Sequence, residues 1–142
     1  MSFYSRSLEL KEKTYGKNSD RILSDINMVG KAYELQGAFA QAEPYYLRAL
    51  GVDKIQAGGA NTNLEGDLMR LANFYNRCGR YDKAEPYWRE LLELQEKKYA
   101  PESPLISSTL YQLSQALANL GRADEAAQIR QQMQTPTARV NQ

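Results

Sequence analysis

Few residues in this chain could carry acid–base or nucleophilic chemistry. Histidine is absent and Cys78 is the single thiol, which removes the commonest general base and the usual activator of a serine or cysteine nucleophile. One thiol without an imidazole also excludes an internal disulfide and a zinc site built from those ligands. Carboxylates are plentiful, but they fall on polar helix faces or at helix starts, where solvation and the helix dipole explain them. Cys78 lies near the end of a predicted helix, in register with Gln36 and Leu120, and reads as a small, partly buried filler. Gly58-Gly59 has no strand before it and no Lys-Ser/Thr after it, so it is a connection and not a phosphate loop. The chain is therefore read as a non-enzyme with no catalytic residue, no metal site and no cofactor. What remains is recognition chemistry on three polar stripes. Asn27 and Lys31 form the first, with Glu34; Arg70, Asn73, Asn76 and Arg77 form the second; Tyr111, Gln112, Gln115 and Asn119 form the third. Spacings of three and four place each set on one helix face. Side-chain amides can pair with both the N–H and the C=O of an extended peptide. Lys31, Arg70 and Arg77 set against Glu34 leave a positive excess, which favours an acidic peptide or a free C-terminal carboxylate.

The elements that hold these stripes are set by an internal repeat. Leu8, Leu50 and Leu92 recur at intervals of 42 residues, as do Gly37, Gly79 and Gly121, Ala42, Ala84 and Ala126, and the triplets Glu43-Pro44-Tyr45 and Glu85-Pro86-Tyr87. Within each period apolar residues recur at helical spacing, first through Ile22, Ile26, Val29 and Tyr33 and their register mates, then through Ala42, Tyr45, Tyr46 and Leu50 and theirs. Each period is a helical hairpin. The three glycines end the first helices in a left-handed conformation that glycine adopts without steric penalty. Asp82 and Asp124 open second helices, and Pro44 and Pro86 are placed in the first helical turn, where a missing N–H is tolerated. The spacing predicts seven helices, over 2–15, 19–36, 40–56, 62–78, 82–98, 104–120 and 124–134, joined between hairpins by 15–20, 56–61 and 99–104. A half repeat, 1–18, precedes repeats 19–60, 61–102 and 103–134, and 135–142 is a disordered tail.

Ile26-x2-Val29-Gly30-x2-Tyr33 continuing to Ala42-x3-Tyr46 resembles the tetratricopeptide consensus, which Leu68, Leu71, Ala72, Tyr75, Ala84 and Trp88 repeat. In the third copy Arg130 stands in place of the aromatic. The 42-residue period, with Gly79-Arg-Tyr-Asp-Lys-Ala-Glu-Pro-Tyr87 and the loop Tyr15-Gly-Lys-Asn-Ser-Asp20, is similar to the kinesin light chain type. The resemblance implies an all-α, right-handed solenoid of stacked hairpins, whose first helices line a concave groove that binds a segment of a partner protein. It also implies two adjacent asparagines on each first helix, where this chain has Asn27-Met28, Met69-Arg70 and Tyr111-Gln112. The kinesin clamp is kept only in part.

A net charge of +1 offers no electrostatic case for nucleic acid or an anionic membrane, and an RNA-binding helical repeat would need basic faces. No apolar run approaches the ~20 residues that span a bilayer, and the expectation is a cytoplasmic protein. The aromatics, Trp88 and Tyr46 above all, are assigned to packing. The first helix aligns with the latter part of a second helix, so Phe3, Tyr4 and Leu8 are expected to lack a covering helix. A homodimer through this N-terminal helix is the alternative function class.

Overall fold

Gly37, Gly79 and Gly121 have φ of 73°, 71° and 77°, so each first helix ends in the left-handed residue that its glycine allows. In the computed structural model, residues 2–59 and 62–135 are described. They form seven helices and no strand: α1 Phe3–Tyr15, α2 Leu23–Leu35, α3 Phe39–Ile55, α4 Leu64–Arg77, α5 Tyr81–Lys98, α6 Pro104–Asn119 and α7 Ala123–Gln134. The fold is an all-α helical repeat solenoid. The predicted tail beyond Thr135 and the loop residues Ala60 and Asn61 lie outside the described residues.

Three local expectations need correction. The helix expected from residue 19 opens as a 3-10 turn, Asp20–Ile22, with the Ser19 hydroxyl accepting from the Arg21 N–H. Asp82 and Asp124 each lie one residue inside their helices, which start at Tyr81 and Ala123 without a side-chain cap. The prolines are not in the first turn. Ala42 already donates to the Ala38 carbonyl at 3.0 Å, so Pro44, two residues on, removes a helical bond to Ala40. Both residues are exposed or half-buried, and water can satisfy the freed carbonyl. Pro86 and Asp82 repeat this arrangement in α5.

Two compact units divide the chain, Met1–Asp67 and Leu68–Gln142. The first is built on Leu8, Ile22, Leu23, Ile26, Val29, Ala49 and Val52, with Tyr4, Tyr33 and Tyr45 packed against them. Across the α2–α3 hairpin, Tyr33 and Tyr45 stack at 5.7 Å. Gly30 makes the close approach possible, because a Cβ there would lie 2.9 Å from Cε1 of Tyr46, a ring only 1% exposed. Lys11 binds Asp25 and Arg48 binds Glu12, each at 2.5 Å, and these pairs tie α1 to α2 and α3. A hollow of about 180 Å³ is lined by Ser2, Ser5, Val29, Ala32, Tyr33 and Gln36. The expectation that Phe3, Tyr4 and Leu8 all lack cover is corrected: Leu8 is buried and Tyr4 packs on the core, whereas Phe3 and Leu10 stay exposed.

The second unit buries Trp88, Phe74, Leu68, Leu71, Leu91, Leu110, Leu113 and Leu117, and Tyr75 stacks on Tyr87 at 5.8 Å. Cys78 is half-buried. A charged cluster joins α5 to the start of α7, with Arg122 contacting Glu85 and Glu125, and Arg89 contacting Glu85. The hydrogen bond from Arg122 holds the Glu125 carboxyl below its ordinary range, and the bonds to Glu125 and Glu85 raise the Arg122 guanidinium further.

Polar groups between successive hairpins, most of them buried, also follow the period. Positions 11, 53 and 95 of the second helices share one register, and positions 25, 67 and 109 of the following first helices share another. Lys11 pairs with Asp25; Asp53, 1% exposed, accepts from the Asn63 N–H at 3.1 Å; and the Thr109 hydroxyl donates to Gln95 Oε1 at 2.6 Å. Each of these side chains has a bonded partner, as burial demands.

Candidate functional site

The polar stripes lie on the first helices α2, α4 and α6, and each is described within its own unit. In the first unit Asn27 and Lys31 are half-buried on α2. Asn27 donates through Nδ2 to Asp67 Oδ1 at 3.1 Å. Asp67, 4% exposed, is not singled out by the sequence, where a carboxylate near a helix start has an ordinary solvated explanation. The signal available was its register with Asp25 and Thr109, two other buried polar residues. Glu34 is corrected out of the stripe. It is 7% exposed and accepts from the Tyr46 hydroxyl at 2.6 Å, with Lys31 Nζ at 3.5 Å, so its carboxylate serves the hairpin interior.

The second unit carries the larger set. Arg70, Asn73 and Asn76 of α4 are half-buried and Arg77 is exposed; on α6, Gln112 and Gln115 are half-buried, Asn119 is exposed and Tyr111 is 49% exposed. Ser103 starts α6 by accepting from the Leu105 N–H, with Pro104 in the first turn, which fixes the rotation of this face. Asn76 Nδ2 and Gln112 Oε1 meet at 3.4 Å, bringing the α4 and α6 stripes side by side. The Asn119 amide turns back to its own helix, donating to the Gln115 carbonyl at 2.8 Å. The side-chain amides of Asn73 and Gln115, one period apart on the two helices, make no hydrogen bond among the described residues. Two open amides in register on adjacent helices can each pair with a peptide group, and Arg70 and Arg77 lie on the same α4 stripe as Asn73.

Among the described residues no three metal-ligating side chains come together, and no helix is long and apolar enough to cross a membrane. Arg122 and Glu125, whose titration is shifted by the hydrogen bond between them, lie in the α5–α7 cluster and not on the stripes.

Two tetratricopeptide repeat models match the sequence, one over residues 65–132 and one over 27–58. No curated protein matches it. Among solved structures, the chain resembles the nearly identical TPR-like repeats of a Podosopora anserina kinesin light chain, with a TM-score of 0.77 at 17% identity over 96% of this chain and 65% of that one. BtubC (BKLC) from P. vanneervenii has a TM-score of 0.79 at 19% identity over 98% of this chain and 56% of its own. The chain thus spans less than two thirds of the length of these relatives. At such identities the likeness establishes the fold, and the stripes lie on the first helices of a helical repeat array. The two sequence matches together cover more than two thirds of the chain, and the protein belongs to the tetratricopeptide repeat family.

Proposed function

We propose that this protein is a non-enzymatic scaffold that binds an extended segment of a partner protein on the α4 and α6 stripes of its second unit. The observation that carries this reading is the pair of open amides, Asn73 and Gln115, half-buried and in register on neighbouring helices. An extended chain repeats its peptide groups at about 3.3 Å per residue, so residues a few positions apart can reach both amides. Arg70 and Arg77 favour an acidic segment or a C-terminal carboxylate, and Tyr111 offers a ring for an apolar side chain. One thiol without a disulfide partner suits a reducing, cytoplasmic setting. Pairing of two copies through α1 is the second reading, favoured by the exposure of Phe3 and Leu10.

A displayed peptide library selects the ligand directly, whatever the partner's identity. The selected peptides should share acidic character, and Asn73→Ala with Gln115→Ala should weaken their binding by about 1–3 kcal/mol while the melting temperature stays put. Equal binding by the variant, or a library that yields no ligand, overturns the reading.

A further inference from the structure

Glycine weakens a helix interior and suits positions where a backbone must come close to another group. Gly30 meets such a demand inside α2, against the Tyr46 ring. Gly51, at the middle of α3, meets none among the described residues, because a Cβ there would touch nothing within 4 Å. It lies on the solvent face of α3 between Leu47 and Ile55, which are 39% and 65% exposed and share its stripe at spacings of four. The register mates of these three residues are Ser5, Glu9 and Lys13 on α1, and Arg89, Glu93 and Lys97 on α5. On α5 the charges pair along the helix, Lys97 with Glu93 and Arg89 with Glu85, each at 2.9 Å. Water thus meets a polar form of this face on α1 and α5, and an apolar one on α3.

The spacing selects the occupant. Leu47 and Ile55 stand four residues either side of Gly51, so a two-fold axis through Gly51 seats each Leu47 on the second copy's Ile55 and sets glycine against glycine, where two helices approach closest. That symmetry is used in full only by an identical helix. The surrounding charges allow the pairing. Antiparallel helices set each flank against the same flank of the other copy, with Lys54 on one side of the stripe and Arg48 on the other. Each then stands six residues from its own symmetry mate, about 9 Å along the axis, near the Debye length at physiological salt. Glu43 shares the Lys54 flank, and the second copy's Glu43 lies five residues from Lys54, about 7.5 Å, so the opposite charge is the nearer one. Arg48 is already engaged by Glu12 at 2.5 Å and by the Lys17 carbonyl at 3.0 Å. On neighbouring α1, Glu9 and Lys13 are exposed and opposite in sign. We propose that the Leu47, Gly51 and Ile55 stripe is a self-association surface, on which two copies of the chain pair through antiparallel α3 helices about a two-fold axis at Gly51. One helix pair buries little surface, so this dimer forms at high protein concentration.

Sedimentation equilibrium of the full chain, from about 10 to 1,000 μM, tests this. The parent should pass from monomer to dimer. Gly51→Ala should dimerise about tenfold more weakly although its monomer melts higher, a combination that damage to the fold would not produce. Leu47→Glu with Ile55→Glu should abolish the dimer at an unchanged melting temperature. Leu47→Glu with Ile55→Lys should associate again, with an affinity that falls as salt rises, because the two-fold sets position 47 of one copy against position 55 of the other. Phe3→Glu with Leu10→Glu on α1, and Asn73→Ala with Gln115→Ala on the α4–α6 stripes, should dimerise like the parent. A parent that stays monomeric over the whole range overturns the proposal. So does a dimer that survives Leu47→Glu with Ile55→Glu, equal association of the two charge variants, or a dimer broken by the α1 variant.

Discussion

Adding one methyl group at Gly30 should destabilise the protein, although alanine is the better helix former. Gly30 lies inside α2, and a Cβ there would come within 2.9 Å of Cε1 and 3.1 Å of Cδ1 of Tyr46, and 3.3 Å of Cβ of Tyr45. The Tyr46 ring has little freedom to retreat, being 1% exposed with its hydroxyl held by Glu34 at 2.6 Å. Glycine to alanine in a helix interior gains about 0.5–1 kcal/mol, whereas forcing an extra carbon into a packed seam costs about 1–3 kcal/mol. Steric cost wins, and Gly30→Ala should lose about 1–2 kcal/mol and lower the melting temperature by about 2–8 °C. Gly51 is the control, since it lies inside α3 and a Cβ there meets nothing within 4 Å. Gly51→Ala should therefore gain about 0.5–1 kcal/mol. Thermal melting by circular dichroism reads both signs, and the Gly30→Ala deficit should largely vanish in a Tyr46→Leu background, where the obstructing ring is gone. A Gly30→Ala protein that melts at or above the parent would refute the reasoning.

Three further expectations rest on separate features. Gly79, at φ 71°, should not accept a β-branched residue, and Gly79→Val should lower stability by about 1–2 kcal/mol in chemical denaturation; a variant as stable as the parent would mean the turn has another conformation. Ala32 lines the hollow beside α1 and shares its register with buried Phe74, so Ala32→Leu should fill space and raise stability by about 1 kcal/mol, while a lowered melting temperature would mean the hollow does not admit the chain. Glu125, its carboxyl held low by Arg122, contributes stability that is present at neutral pH and lost as pH falls through its depressed pKa. The melting difference between the parent and Glu125→Gln should accordingly shrink across the carboxylate range, and a difference constant with pH would remove Glu125 from the α5–α7 tie.

The hairpins were legible because glycine, alanine and aromatic residues recur at a fixed interval, and Gly37, Gly79 and Gly121 take the backbone geometry that their positions require. The prolines were misplaced by one turn: the helices start at Phe39 and Tyr81, one residue from the predicted 40 and 82, and Pro44 and Pro86 are the sixth residue of each. Proline tolerance at those sites comes from solvent access to the freed carbonyl, which a one-dimensional pattern does not reveal. Spacing put Glu34 on the polar stripe correctly as to angle, but it could not disclose the Tyr46 hydroxyl waiting twelve residues on. Asp67 was passed over for the converse reason, since a carboxylate near a helix start has an ordinary explanation and its burial depends on neighbours distant in the chain. Tyr4 and Leu8 found cover in the core of the first unit, where alignment with a complete second helix suggested none.

The periodic placement of the buried polar groups governs how such an array can change length. If 19–60 were lost as a block, Lys11 would meet Asp67 in place of Asp25; if 61–102 were lost, Thr109 would meet Asp53 in place of Gln95. In either event an acceptor still faces a donor, and the new junction closes without an orphaned charge. A deletion of a fraction of a period between Lys11 and Asp25 would instead leave buried Asp25 without its ion-pair partner, and an unpaired buried ion is severely destabilising. Whole repeats are therefore the unit in which this protein can be shortened with its buried polar pairs intact, a constraint that the polar register adds to that of the apolar core.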